Sequence, residues 1–107
     1  MKTVKLHILA EDIKSTDFID STNCAITRAL GRAGVDARHT GCTISDNETN
    51  KVLTTNLNGL EYKVIRMYAH LDKDWNKVEC PNKWTRKCAE LGTLEPSDFE
   101  FEIEIED

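Results

Sequence analysis

Four cysteines (Cys24, Cys42, Cys80 and Cys88) and three histidines (His7, His39 and His70) carry the most reactive side chains of this chain. A thiolate, not a thiol, attacks an electrophile or binds a metal, so it needs surroundings that stabilise negative charge. Cys24 has them if the stretch after it is helical, because first-turn N–H groups and the helix dipole favour an anion there. A nucleophile also needs a base to take its proton. Nothing in the spacing of the three histidines puts one of them beside Cys24. The expected role of Cys24 is therefore a small thiol packed at a helix start. A thiol-dependent enzyme built on Cys24 is the alternative.

Metal binding has weaker support. Cys80 and Cys88 have seven residues between them, where zinc knuckles have two to four. Cys24, Cys42 and His39 could join them only through the fold, so no metal and no cofactor is expected. Glu100, Glu102, Glu104 and Glu106 alternate with Phe99, Phe101, Ile103 and Ile105, a period of two that puts the carboxylates on one face of a β-strand. Glutamates at i and i+2 stand about 7 Å apart and both meet water, which is no acid–base pair. Such a row can instead be balanced surface, if Lys5 and His7 of a first strand lie opposite it. As a binding surface, it would imitate a phosphate backbone and occupy a basic groove on a protein partner.

A second candidate surface is the stretch 73–87, where Lys73, Lys77, Lys83, Arg86 and Lys87 interleave with Trp75 and Trp84. Bases among aromatics can grip phosphates and stack nucleobases. Asp72, Asp74 and Glu79 dilute the charge, so nucleic acid is not the expected partner. Protein docking through Trp75, Lys83, Trp84 and Arg86 is, together with the patch Glu100, Glu102, Glu104 and Glu106.

Thr3–Leu9 alternates Val4, Leu6 and Ile8 with Lys5 and His7 and predicts a strand. Residues 10–20 predict a turn or short helical piece. Ser21 or Thr22 can cap a helix in which Ile26, Ala29, Leu30 and Ala33 form a buried stripe, Arg28 and Arg32 face water, and Gly34 ends the helix. Arg38–Ser45 and Lys51–Thr55 predict a hairpin about Asp46 and Asn47. Asn58 with Glu61 resembles a capping box for a helix carrying Leu60, Val64, Met67, Tyr68 and Leu71. A third, shorter helix is expected from Pro81, with Trp84, Cys88 and Leu91 as its stripe and Gly92 closing it. The glutamate strand follows. The order is β-α-β-β-α-(α)-β, an α+β domain of two layers over residues 1–107, compatible with a ferredoxin-like split βαβ arrangement.

Residues 94–107 hold seven acids and no base, and the rest of the chain holds 12 acids against 14 bases, within a net charge of −5. The acidity belongs to one strand face. At 107 residues and 39% hydrophobic, the chain can bury one modest core. The apolar run after Met1 is broken by Lys5 and His7 and followed by Glu11 and Asp12, which reads as a strand and not an export signal. Reduced thiols are then expected, although four cysteines could form two disulfides in an oxidising compartment. No run approaches the roughly 18 apolar residues of a membrane span.

The segments Glu11-Asp12-Ile13, Asn23-Cys24-Ala25-Ile26 and Ala29-Leu30, with Pro96, Phe99, Phe101 and Glu102 near the end, resemble a family of short uncharacterised bacteriophage proteins. That family has an early Asp-Ile segment, a Cys-Pro-x-x-x-Ala-Leu helix start and a closing Phe-x-Phe-Glu strand. Ala25 stands where the family has proline, and the 73–94 region looks like an addition. The resemblance implies a phage setting and assigns no functional residue. The expected function is a non-catalytic protein-binding accessory protein, a virion component on the capsid surface. The alternative is an acidic inhibitor of a host protein. Either would be made in the bacterial host cytoplasm, with a phage capsid protein or a host protein as partner and no membrane.

Overall fold

The computed structural model describes residues 1–18, 20–71, 86 and 90–106. Strand β1 (Lys2–Ile8) is followed by helices α1 (Ala10–Ser15) and α2 (Ala25–Arg32), strands β2 (Ala37–Thr40), β3 (Thr43–Asp46) and β4 (Val52–Thr54), helix α3 (Leu60–Leu71) and strand β5 (Phe99–Ile105). The class is α+β. The helix expected from Pro81, and with it Trp75, Cys80, Lys83, Trp84 and Cys88, lies outside the described residues.

Strand β5 forms as its alternation demands. It pairs antiparallel with β1 so that Leu6 meets Phe101, Lys5 meets Glu102 and His7 meets Glu100. Val4, Leu6, Ile8, Ile103 and Ile105 are buried, while Lys5, His7 and the glutamates face out. The remaining strands make a second sheet in the order β2-β3-β4. A ferredoxin-like fold needs one four-stranded sheet, and two sheets replace it here. The cause lies in the segment expected to supply a single strand, Arg38–Ser45. Gly41, at φ +63°, opens a two-residue loop between Thr40 and Thr43 and folds that segment back on itself, a conformation that glycine adopts without cost. Three short strands result where two were expected.

The turn about Asp46 forms as expected. The Asp46 carboxylate accepts from the Glu48 and Thr49 N–H groups at 2.8 and 3.0 Å. Those bonds favour the charged form and hold its pKa below the usual carboxylate value. The β3–β4 register shifts between Ile44 and Ser45 and leaves Leu53 as the extra residue of a bulge. Its carbonyl turns to the other sheet and accepts from the Glu106 N–H at 3.0 Å. Lys51 Nζ reaches the Glu106 carboxylate at 3.3 Å across the same corner.

Joined at that corner, the strands run β1-β5-β4-β3-β2, and α2 packs against both ends of the series. One side chain of α2 serves each end strand. Arg32 donates to the His7 carbonyl of β1 at 2.6 Å, and Thr27 Oγ1 accepts from the His39 N–H of β2 at 3.0 Å. The helix thus bridges the two end strands, and its Ile26, Ala29 and Leu30 meet the core. Ala33, expected in the buried stripe, is exposed because the helix ends at Arg32.

Helix α3 supplies the other wall through Leu60, Val64, Ile65, Met67 and Tyr68. Gly59, not Asn58, precedes its first turn: the Gly59 carbonyl accepts from Tyr62 N–H and Lys63 N–H, and Asn58 sits at φ +54°, outside the extended region that an N-cap occupies. The chain returns to β5 along α3, where Arg66 donates to the Leu91 and Gly92 carbonyls at 2.9 and 2.7 Å.

Candidate functional site

Cys24 is the N-cap of α2, in extended conformation, and its Sγ accepts from the Thr27 N–H at 3.5 Å. The cap is therefore a thiol, and not Ser21 or Thr22. Thr22 instead turns to the Asp20 carboxylate, which accepts from its N–H and hydroxyl at 3.1 and 2.8 Å. A second donor of the helix start is met from α3, where Tyr68 Oη accepts from the Ala25 N–H at 3.0 Å. Thr16 Oγ1 lies 2.6 Å from the same hydroxyl and donates to the Asp12 carbonyl at 2.5 Å. The Tyr68 proton is thereby directed to Thr16.

The structure brings a histidine to Cys24, which the spacing in sequence does not show. Cys24 Sγ and His39 Nδ1 are 3.5 Å apart, both buried. On the far side of the ring, Nε2 lies 2.5 Å from the Gly41 carbonyl. A carbonyl only accepts, so Nε2 carries the proton, and Nδ1 of the neutral ring accepts from the Cys24 thiol. Burial lowers the His39 pKa to about 4, while the Gly41 carbonyl pulls the other way. Phe18 closes the pocket, edge to face with the His39 ring at 5.5 Å and with the Tyr68 ring at 5.7 Å. Burial likewise raises the Tyr68 pKa above its ordinary value.

A cysteine–histidine pair at a helix start resembles the nucleophile and base of a thiol enzyme. Its surroundings are those of a core: Cys24 and His39 are 0% and 1% exposed, so the sulfur is closed to solvent in this structure. What the arrangement does is satisfy a polar cluster inside an apolar core.

Arg28 and Arg32 do more than face water. They bracket the buried Asp12 carboxylate at 3.4 and 2.6 Å, which ties α2 to α1. The glutamate face is divided by its neighbours. Lys5 Nζ and His7 Nδ1 lie 3.6 and 3.5 Å from Glu100, and Lys51 holds Glu106. Glu102 and Glu104, in the middle, have no cation within ion-pair distance among the described residues. Of the aromatic–basic patch, Arg86 is exposed; its companions Trp75, Lys83 and Trp84 fall outside the described residues. Among the described residues no cluster of metal-ligating side chains occurs, and no helix is long and apolar enough to cross a membrane.

Against family models, curated proteins and solved structures, the chain finds no match.

Proposed function

We propose that this chain is a non-catalytic protein-binding accessory protein of the bacteriophage type, and that it meets its partner through the glutamate face of the β1–β5 ribbon. One observation carries the reading: Glu102 and Glu104 stand exposed at the centre of the strand and form no ion pair among the described residues, Lys5 opposite Glu102 being bonded to Glu100. Their apolar alternates, Ile103 and Ile105, anchor that strand in the core. Carboxylates held in fixed register suit a basic groove on another protein. The buried Cys24–His39 pair supports a non-catalytic role, since it leaves the best nucleophile without access. The phage setting rests on the motif resemblance at the helix start and the final strand, and a capsid protein is the partner it favours, in the host cytoplasm or on the virion.

The test is capture by the purified protein from phage particles and from a bacterial lysate, at low and then moderate salt, read by mass spectrometry. Retention of a capsid protein at low salt, lost on replacing Glu102 and Glu104 together by alanine, is the expected result. Unchanged capture by that double variant removes the glutamate face from the proposal. A host protein released by salt replaces the virion role with that of an inhibitor, because exposed charge pairs are screened within about 10 Å at 0.1 M salt.

A further inference from the structure

The two edges of the β1–β5 ribbon are not equivalent. In an antiparallel ladder, successive pairs alternate between those that exchange both main-chain bonds and those that turn their N–H and C=O groups outward. Two bonds fix the phase. The His7 carbonyl is taken by Arg32 and the Glu106 N–H by Leu53, each outside the ribbon. Odd residues of β1 and even residues of β5 therefore face outward along the edges. On β1 these are Thr3, Lys5 and His7. Arg32 occupies the carbonyl of His7, whereas the main-chain groups of Thr3 and Lys5 meet no other element among the described residues.

That open stretch is not a flat edge. It forms one bank of a shallow groove whose other bank is the end of α2 and the loop after it, Arg32 to Val35. The lining contains Lys2, Lys5, His7 and Arg32 and no acidic side chain. The carboxylates that partner these bases, Glu100 and Asp12, lie outside the groove, and Lys2 has no ion pair among the described residues.

We infer that β1 accepts an extended acidic segment of a partner protein as a third strand, bonded to the main chain of Thr3 and Lys5 with its carboxylates toward Lys5 and His7, which share the outward face of the strand. An open edge supplies main-chain affinity, and the side chains of its banks supply selectivity. A second copy of β1 is the wrong occupant, because pairing like edges sets lysine near lysine. The inference rests on the protein-binding reading above but uses a different surface, so the Glu102 and Glu104 double variant leaves it intact.

The experiment uses the full chain and a fluorescein-labelled peptide of about eight residues alternating valine and glutamate, with a valine–lysine peptide as control. Fluorescence anisotropy reads binding and residue-resolved amide exchange reads its place. The acidic peptide is expected to bind at least about tenfold more tightly than the basic one. It is also expected to slow exchange at Thr3 and Lys5, while Val4 and Leu6, already bonded to β5, change little. Lys5→Pro removes an outward N–H that the ladder does not use and is expected to weaken binding about tenfold or more. Lys5→Glu keeps the outward N–H, reverses the charge on the outward face and is expected to weaken binding in the same direction, so a folding defect in the proline variant does not decide the outcome. No binding at about 1 mM peptide, equal binding of both peptides, or protection at sites other than Thr3 and Lys5 overturns the inference. So does protection of these amides without peptide that grows with protein concentration, which would assign the edge to another copy of this chain.

Discussion

Cys24 and His39 are separated by 15 residues in sequence and by 3.5 Å between Sγ and Nδ1. The contact exists because α2 begins at Cys24 and packs against β2, which carries His39. Thr27 reinforces it from the first turn of α2, donating its hydroxyl to the Ser21 carbonyl at 2.8 Å while accepting from the His39 N–H. The pair holds the helix start to the strand edge.

Its first consequence is a pH dependence of stability. The unfolded His39 titrates near 6.5 and the folded one at about 4, so between these values the unfolded chain binds more protons and folding weakens as pH falls. Above pH 6.5 the full contribution is present. By pH 4, about 3 kcal/mol is lost, because each pH step down through that window costs the folded state up to about 1.4 kcal/mol. Urea unfolding of the protein and of His39→Asn from pH 7.5 to 4 checks this. The protein should lose stability over the window more steeply than the variant; parallel profiles would show that His39 does not control it.

Accessibility of the thiols gives a second outcome. Cys24 is fully buried and Cys42 partly exposed. Iodoacetamide at pH 7 with peptide mapping should label Cys42 before Cys24 and leave Cys24 unmodified until urea opens the core. Faster labelling of Cys24 in the folded protein would return the thiol-enzyme alternative to first place.

Tyr68→Phe should cost about 1–3 kcal/mol in denaturant unfolding, since it leaves the buried Ala25 N–H without its acceptor. The ring contacts with Phe18 are kept in this variant. A change below about 0.5 kcal/mol would mean that the helix start finds another partner.

Replacing Arg32 by alanine removes the 2.6 Å partner of the buried Asp12 carboxylate and the donor to His7. Arg28 remains at 3.4 Å, so the expected loss is about 2 kcal/mol and not the 3–5 of a carboxylate left alone. Combined with Arg28→Ala the loss should exceed the sum of the singles, as expected for two side chains sharing one buried charge. Additive losses would deny that sharing.

Much of the fold is legible in the order of residues. The unbroken alternation from Phe99 to Glu106 commits that segment to a strand with one buried face, and the pattern at Val4, Leu6 and Ile8 does the same for β1. Opposite charges at Lys5 and Glu102 agree with their pairing. The stripes of α2 and α3 mark their buried sides for the same reason, since a helical or extended period declares which side chains leave water together. The exceptions are at the helix ends, where Ala33 and Leu71 are exposed.

Periodicity does not declare what those faces are buried against, and there the tertiary structure decides. Gly41 divides one expected strand into two because its positive φ permits a tight reversal that composition alone leaves open. Arg28 and Arg32 keep part of their surface in water and reach the buried Asp12 only because α1 and α2 pack side by side. His39 meets Cys24 for a like reason. A hydrogen bond needs two groups within about 3 Å, and only the path of the folded chain sets that distance between residues far apart in sequence.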